Sequence, residues 1–139
     1  MKLLGDYFID ALKGSTFPLD DAVTVRPSYT GETPKYPMLI IDEAPGIGAY
    51  AGNQPRIGRN IITLEAYAQD GMASGQLISK KDAAFLLLTE ADRILNEKYG
   101  LTISGQAHGA PYTDETVFRA VARYVVSVDL QTMVFYRHS

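Results

Sequence analysis

The chain has 139 residues, the size of one domain, enough to bury roughly two thirds of the surface its unfolded form exposes. It contains no cysteine, which excludes a disulfide framework and thiolate chemistry and leaves the cytoplasm as the default compartment. A net charge of −3 argues against sequestering nucleic acid, because neutralising phosphates takes clustered Lys and Arg.

The amino-terminal MKLLGDYFIDALKG breaks its apolar residues with Asp6, Asp10 and Lys13, so it lacks the continuous apolar segment of a signal peptide. No apolar run elsewhere reaches membrane-spanning length. Over residues 2–13, Leu4, Phe8, Ala11 and Leu12 fall on one side of a short amphipathic helix, and Gly14 follows as its natural stop. AVTVRPSY reads as a strand whose end Pro27 confines to a sheet edge, TGETPKYP as a loop, and MLIIDE, residues 38–43, as a short apolar strand. APGIGAYAGNQPRIGRN reads as the longest irregular segment, a loop over residues 44–59 of the kind that is functional or mobile. NIITLEAYAQ, residues 60–69, sets Ile62, Leu64, Ala66 and Ala68 against Thr63, Glu65, Tyr67 and Gln69, the alternation of a half-buried strand.

From Ser79 the period becomes helical. Ser79 and Asp82 resemble a capping box, Ala84, Leu87, Leu88, Ala91, Ile94 and Leu95 form a stripe, and Gly100 closes the helix. Its roughly 20 residues span about 30 Å, so it must lie across a sheet. LTISGQAHG reads as a short strand and loop.

The run VFRAVARYVVSVDLQTMVFYR, residues 117–137, has period two. Phe118, Ala120, Ala122, Tyr124, Val126 and Val128 share an apolar face, while Arg119, Arg123, Ser127 and Asp129 make the other polar in its middle. As one strand it would run roughly 65–70 Å at about 3.3 Å per residue. A compact chain of this size is only about 35–40 Å across, so the run must bend near residues 127–129 or project. A projecting strand leaves its edge unpaired unless another chain covers it. These patterns predict a single α+β domain over residues 1–139. It has a mixed or antiparallel sheet, one long helix packed across it, a short N-terminal helix, and a carboxyl strand that extends over residues 130–139.

No motif points to catalysis, a metal or a cofactor. GIGAYAG suggests a phosphate loop, but Pro55, two arginines and a strand follow it where a helix N-terminus is required. His108 and His138 lack partners at metal-ligand spacing, and the serines lack a nucleophile-elbow context. Asp20, Asp21, Asp42 and Glu43 read as solvated strand-end charges. Arg119 and Arg123 share one strand face, and either solubilise it or meet carboxylates such as Glu65, Asp129 or Asp42 on another copy. Arg56 and Arg59 admit the same two readings. Nine tyrosines and no tryptophan suit wet-edged fillers and interfaces alike. The candidate interface residues are Tyr50, Arg56, Arg59, Arg119, Arg123, Met133 and Phe135.

The opening helix, RNIITLEAYAQ as central strand, SKKDAAFLLLTEADRILNEKYGL as crossing helix and TDETVFRAVARYVVSVD as the next strand together resemble the tail terminator, or tail-completion, proteins of long-tailed bacteriophages. The resemblance covers most of the chain and rests on element order and local similarity. It implies a small α+β subunit of a hexameric ring that ends tail-tube polymerisation and presents the surface for the head connector. The implied partners are other copies of the chain, the tail tube protein and the head–tail connector protein, with DNA passing through the ring. No membrane, no sequence-specific nucleic acid binding and no cofactor is implied, and the place is the virion, after assembly in the host cytoplasm. The tail QTMVFYRHS is longer and more apolar than the family pattern, which keeps head–tail connector and neck proteins of similar design as an alternative. A small-ligand-binding or enzymatic domain with a pocket under residues 44–59 is a third reading.

Overall fold

The computed structural model describes residues 4–27, 33–45, 49–51, 54–129 and 135–137. In chain order the elements are α1 (Leu4–Lys13), β1 (Thr24–Pro27), β2 (Met38–Pro45), β3 (Ala49–Ala51), β4 (Gln54–Ala68), β5 (Gly71–Ala73), β6 (Gln76–Ile78), α2 (Lys80–Tyr99), β7 (His108–Ala110), β8 (Phe118–Asp129) and β9 (Phe135–Arg137). The main sheet runs β1-β2-β4-β8-β7, with β3 added beside β4 and β9 beside β8. β1 and β2 pair parallel and the other pairs are antiparallel, so the sheet is mixed and the α+β expectation holds.

Both helices lie on one face. Phe8 and Leu12 of α1 are fully buried, and the α2 stripe Ala84, Leu87, Leu88, Ala91 and Leu95 meets Ile62, Leu64, Ala66, Ala120, Ala122, Tyr124 and Val126 in one core. Ala66 stands opposite Ala120, and Leu64 opposite Ala122. Small residues at these places let α2 lie close to the sheet. At the start of α2, Ser79 Oγ accepts from Asp82 N at 3.2 Å, and Asp70 Oδ1 takes the Lys80 N–H at 2.8 Å, so two of the orphan amides are capped. At its end Gly100, φ 69°, donates to Asn96 O at 2.8 Å. Tyr124, fully buried, donates its hydroxyl to Asp92 Oδ1 on α2 at 2.6 Å, joining helix to sheet.

Two expectations are corrected. Residues 44–59 are not a single irregular loop: β2 continues to Pro45, β3 occupies residues 49–51, and β4 begins at Gln54. The glycines concealed this, because they lower strand propensity although ladder bonds to β8 hold the backbone extended. Nor is 117–137 one strand. β8 ends at Asp129, where the bend alternative puts the break, and β9 pairs onto it antiparallel, with Val128 opposite Phe135 and Val126 opposite Arg137. Residues 130–134, 138 and 139 of the expected carboxyl extension lie outside the described residues. The excess length belongs instead to β4, whose 15 residues run about 50 Å, beyond the roughly 35–40 Å of a compact body.

The hairpin of β5 and β6 is an element that the sequence pattern did not suggest. Ser74 (φ 51°) and Gly75 (φ 76°) form its turn, and Asp20 accepts both their amides, Oδ1 from Ser74 and Oδ2 from Gly75, each at 2.9 Å. No helix among the described residues is long and apolar enough to cross a membrane.

Candidate functional site

With α1 and α2 on one face, strand parity assigns the other face to alternate residues of four neighbouring strands. The register aligns them in rows: Met38, Tyr67, Arg119 and Ala110; Ile40, Glu65, Val121 and His108; Asp42, Thr63 and Arg123; and Ala44, Ile61 and Val125.

The first row is covered from within the chain. Tyr112 stacks edge-on to Tyr67, with ring centroids 4.9 Å apart, and its hydroxyl lies 2.9 Å from that of Tyr36. Met38, Tyr67 and Val117 are buried beneath them. Tyr67 donates to Glu65 Oε2 at 2.8 Å, and Arg119, placed 6.0 Å above the Tyr67 ring, pairs through Nη2 with Glu65 Oε1. Arg119 Nη1 reaches Pro111 O at 3.5 Å, whereas its buried Nε finds no partner among the described residues. Burial, and then the hydrogen bond to Glu65, pushes the Tyr67 hydroxyl well above the usual phenol range. Burial, helped by the bond to Tyr112, pushes Tyr36 up to about 12. Burial works against the Arg119 charge, but the Glu65 carboxylate outweighs it and holds the guanidinium above its ordinary value. The arrangement keeps the Tyr36 and Tyr67 phenols protonated and the guanidinium charged, with the Glu65 carboxylate held between Tyr67 and Arg119, and acts as a polar seal over the sheet.

The expected interface residues divide accordingly. Arg119 takes its carboxylate from its own chain rather than from a neighbour. Arg123 is exposed, opposite Thr63, and has no side-chain partner among the described residues. Tyr50 (opposite Pro55), Arg56, Arg59 (opposite Ser127) and Phe135 (opposite Val128) gather, as backbone positions, at the end of the sheet farthest from Arg119. Met133 lies outside the described residues. The sequence reading did not single out Tyr36, Tyr67 and Tyr112; the high tyrosine count was their only signal.

A hollow of about 340 Å³ opens between the end of α1 and β1, lined by Leu12, Phe17, Leu19, Asp20 and Val23 among others, away from residues 44–59. Of its two acidic residues, Asp20 and Asp21, Asp20 is occupied by the β5–β6 turn. Among the described residues no three His, Asp or Glu side chains gather as metal ligands. Comparison with protein-family models and with curated proteins yields no match to this chain.

Proposed function

We propose that the chain is a structural subunit that closes, as a homohexameric ring, on the end of a long-tailed phage's tail tube, stops its growth and forms the surface that joins the head. The observation that supports this reading most is the extended end of the sheet. β3, the first half of β4, the end of β8 and β9 continue the backbone ladder beyond the described core, which on β4 spans Ile62 to Ala68. The seven residues Gln54 to Asn60 carry it about 23 Å farther. Such an arm is long enough to reach an adjacent subunit. If each arm contacts the next subunit heterologously, rotation closes a ring, and closure leaves no site for further growth. Because β9 is paired with its own β8, subunits join through the arm and the outer strand edges, not by donating a free carboxyl strand. The net negative charge suits a lumen through which DNA slides without sticking.

Electron microscopy of the purified chain, alone and added to polymerising tail tube protein, tests the reading. Six-fold rings with a central hole, found on one end of tubes that have stopped lengthening, are expected. Tubes that lengthen unchanged, with no ring on either end, would overturn it, and rings that bind only the head connector would move the protein to the connector class.

A further inference from the structure

We propose that the arm of one copy docks on the opposite end of the next copy, where the β5–β6 hairpin presents Leu77. The inference rests on the ring reading above and names the surface of the neighbour that the arm meets.

The hairpin follows directly on β4 and leads into α2, so it stands at the end of β4 away from the arm, about 50 Å from Gln54. Its register sets Gly71 opposite Ile78 and Met72 opposite Leu77. Opposed residues share a face, and Ile78 packs against the core, so Met72 and Leu77 lie on the outer side. Leu77 is 88% exposed, and it is the one large apolar side chain left so bare among the described residues. The hairpin that carries it is braced. Besides the two turn amides that Asp20 accepts, the Asp20 N–H donates to Met72 O at 2.9 Å. Three bonds to one residue fix the hairpin before anything touches it, which removes most of the ordering cost of a contact there.

Charge is divided along the same axis. At the hairpin end stand Asp20, Asp21, Asp70, Asp82, Asp114 and Glu115, which outnumber Lys13, Lys35, Lys80 and Lys81. Asp20, Asp70 and Asp114 bond to neutral donors, amides and the Thr116 hydroxyl, so this end stays negative. The described backbone positions of the arm carry Arg56, Arg59 and Arg137 against the single acid Asp129, with Tyr50, Phe135 and Tyr136 among them. Arm on arm would set positive against positive, and hairpin end on hairpin end negative against negative. Arm on hairpin end joins opposite charges and gives Leu77 an aromatic surface. One chain thus carries both halves of the contact, which is why a second copy fits better than an unrelated partner. Because the two halves differ, the contact is heterologous. Each copy gives one arm and receives one, and the series closes where the turn per copy divides the circle.

The test is light scattering over about 1–100 µM, the range of modest interfaces. It compares the wild type, an arm variant with Arg56→Glu and Arg59→Glu, a hairpin variant with Leu77→Asp, and an equimolar mixture of the two. The wild type should assemble, and each variant should associate about 10- to 100-fold more weakly, the loss expected when one buried leucine or its opposing charges are removed. The mixture should stop at two chains: the sound arm of the hairpin variant meets the sound hairpin of the arm variant, and both remaining ends are blocked. A misfolded variant would not form that pair. A wild type that stays monomeric, a variant that keeps the wild-type mass, or a mixture of natively folded variants that stays monomeric or grows past two chains would each overturn the proposal. So would variants that assemble normally but no longer hold the tail tube protein, since the hairpin would then face the tube. Assembly that follows this pattern but closes at another number, or leaves growing tubes untouched, would keep the contact and overturn the tail-capping reading instead.

Discussion

Replacing Tyr124 with Phe isolates a hydrogen bond that ties α2 to the centre of the sheet. The ring stays where it is, fully buried opposite Ile62, so apolar burial is unchanged and only the 2.6 Å bond to Asp92 Oδ1 is lost. A hydrogen bond to a charged group contributes about 1.5–3 kcal/mol, but Asp92 is half-buried and recovers part of that from water, which leaves a cost of about 1–2 kcal/mol. For a domain of this size that lowers Tm by about 4–8 °C. Urea unfolding followed by circular dichroism should show a lower midpoint with an unchanged slope. The pH dependence has a definite sign. Burial, and then the bond to Asp92, holds the folded Tyr124 phenol far above its ordinary value of 10.0, whereas in the unfolded chain it ionises near that value. Its stabilising contribution is thus full below pH 10 and is lost as pH rises, at about 1.4 kcal/mol per pH unit. The Phe variant has no such loss, so the difference between the two proteins should shrink above pH 10 and vanish near pH 11. A difference below about 0.5 kcal/mol at pH 7, or one that is constant from pH 9 to 11, would refute the reasoning.

Arg119→Ala leaves Glu65 half-buried without its cation and should cost about 1–3 kcal/mol, whereas adding Glu65→Ala should cost less than the sum, with a coupling of about 1–2 kcal/mol in a double-mutant cycle. Gly109→Ala places a methyl 2.8 Å from Phe118 Cζ, and that ring leans on Phe85 at a centroid distance of 5.7 Å; a loss of about 1 kcal/mol is expected, relieved when Phe118→Leu is added. Asp20→Ala removes both acceptors from the β5–β6 turn, so the Ser74 and Gly75 amides should exchange about tenfold faster, with little change in the exchange of β4.

Periodicity carried the parts of the fold that are packed by one rule. The α2 stripe, the alternation of Ile62, Leu64, Ala66 and Ala68, and the even-numbered face of β8 from Phe118 to Val126 all lie in or against the core as their spacing indicates. Ser79 and Gly100 cap α2 as their types suggest. Long-range pairing was not legible in the same way. Residues 54–59 carry Pro55, Gly58 and two arginines, and only their ladders with β3 and β8 make them strand, which no local window contains. The antiparallel pairing of β9 is likewise a property of its partner, because nothing in the alternation of Phe135 to Arg137 marks the direction in which they run. At the helix-free face, the sequence offered Arg119 and Arg123 as equivalents. Both stand one row from Glu65, and they diverge because the register sets Arg119 beside Tyr67, whose ring lies under the guanidinium and whose hydroxyl shares Glu65, while Arg123 faces Thr63.

The pairing of β4 with β8 also bears on how the chain is made. Phe118 lies fifty residues along the chain from Ala68, its partner, and Asp129 is farther still from Ile57. During synthesis β1 to β4 and α2 all emerge before the strand that closes the second side of β4. Until then Ile62 and Leu64 sit in a half-finished sheet with one edge open to any passing strand. Fragments that stop short of Phe118 should therefore collect in inclusion bodies, and slowing elongation before that point should lower the yield of folded protein. For this chain, the arrival of β8 should then be the step that separates folding from aggregation.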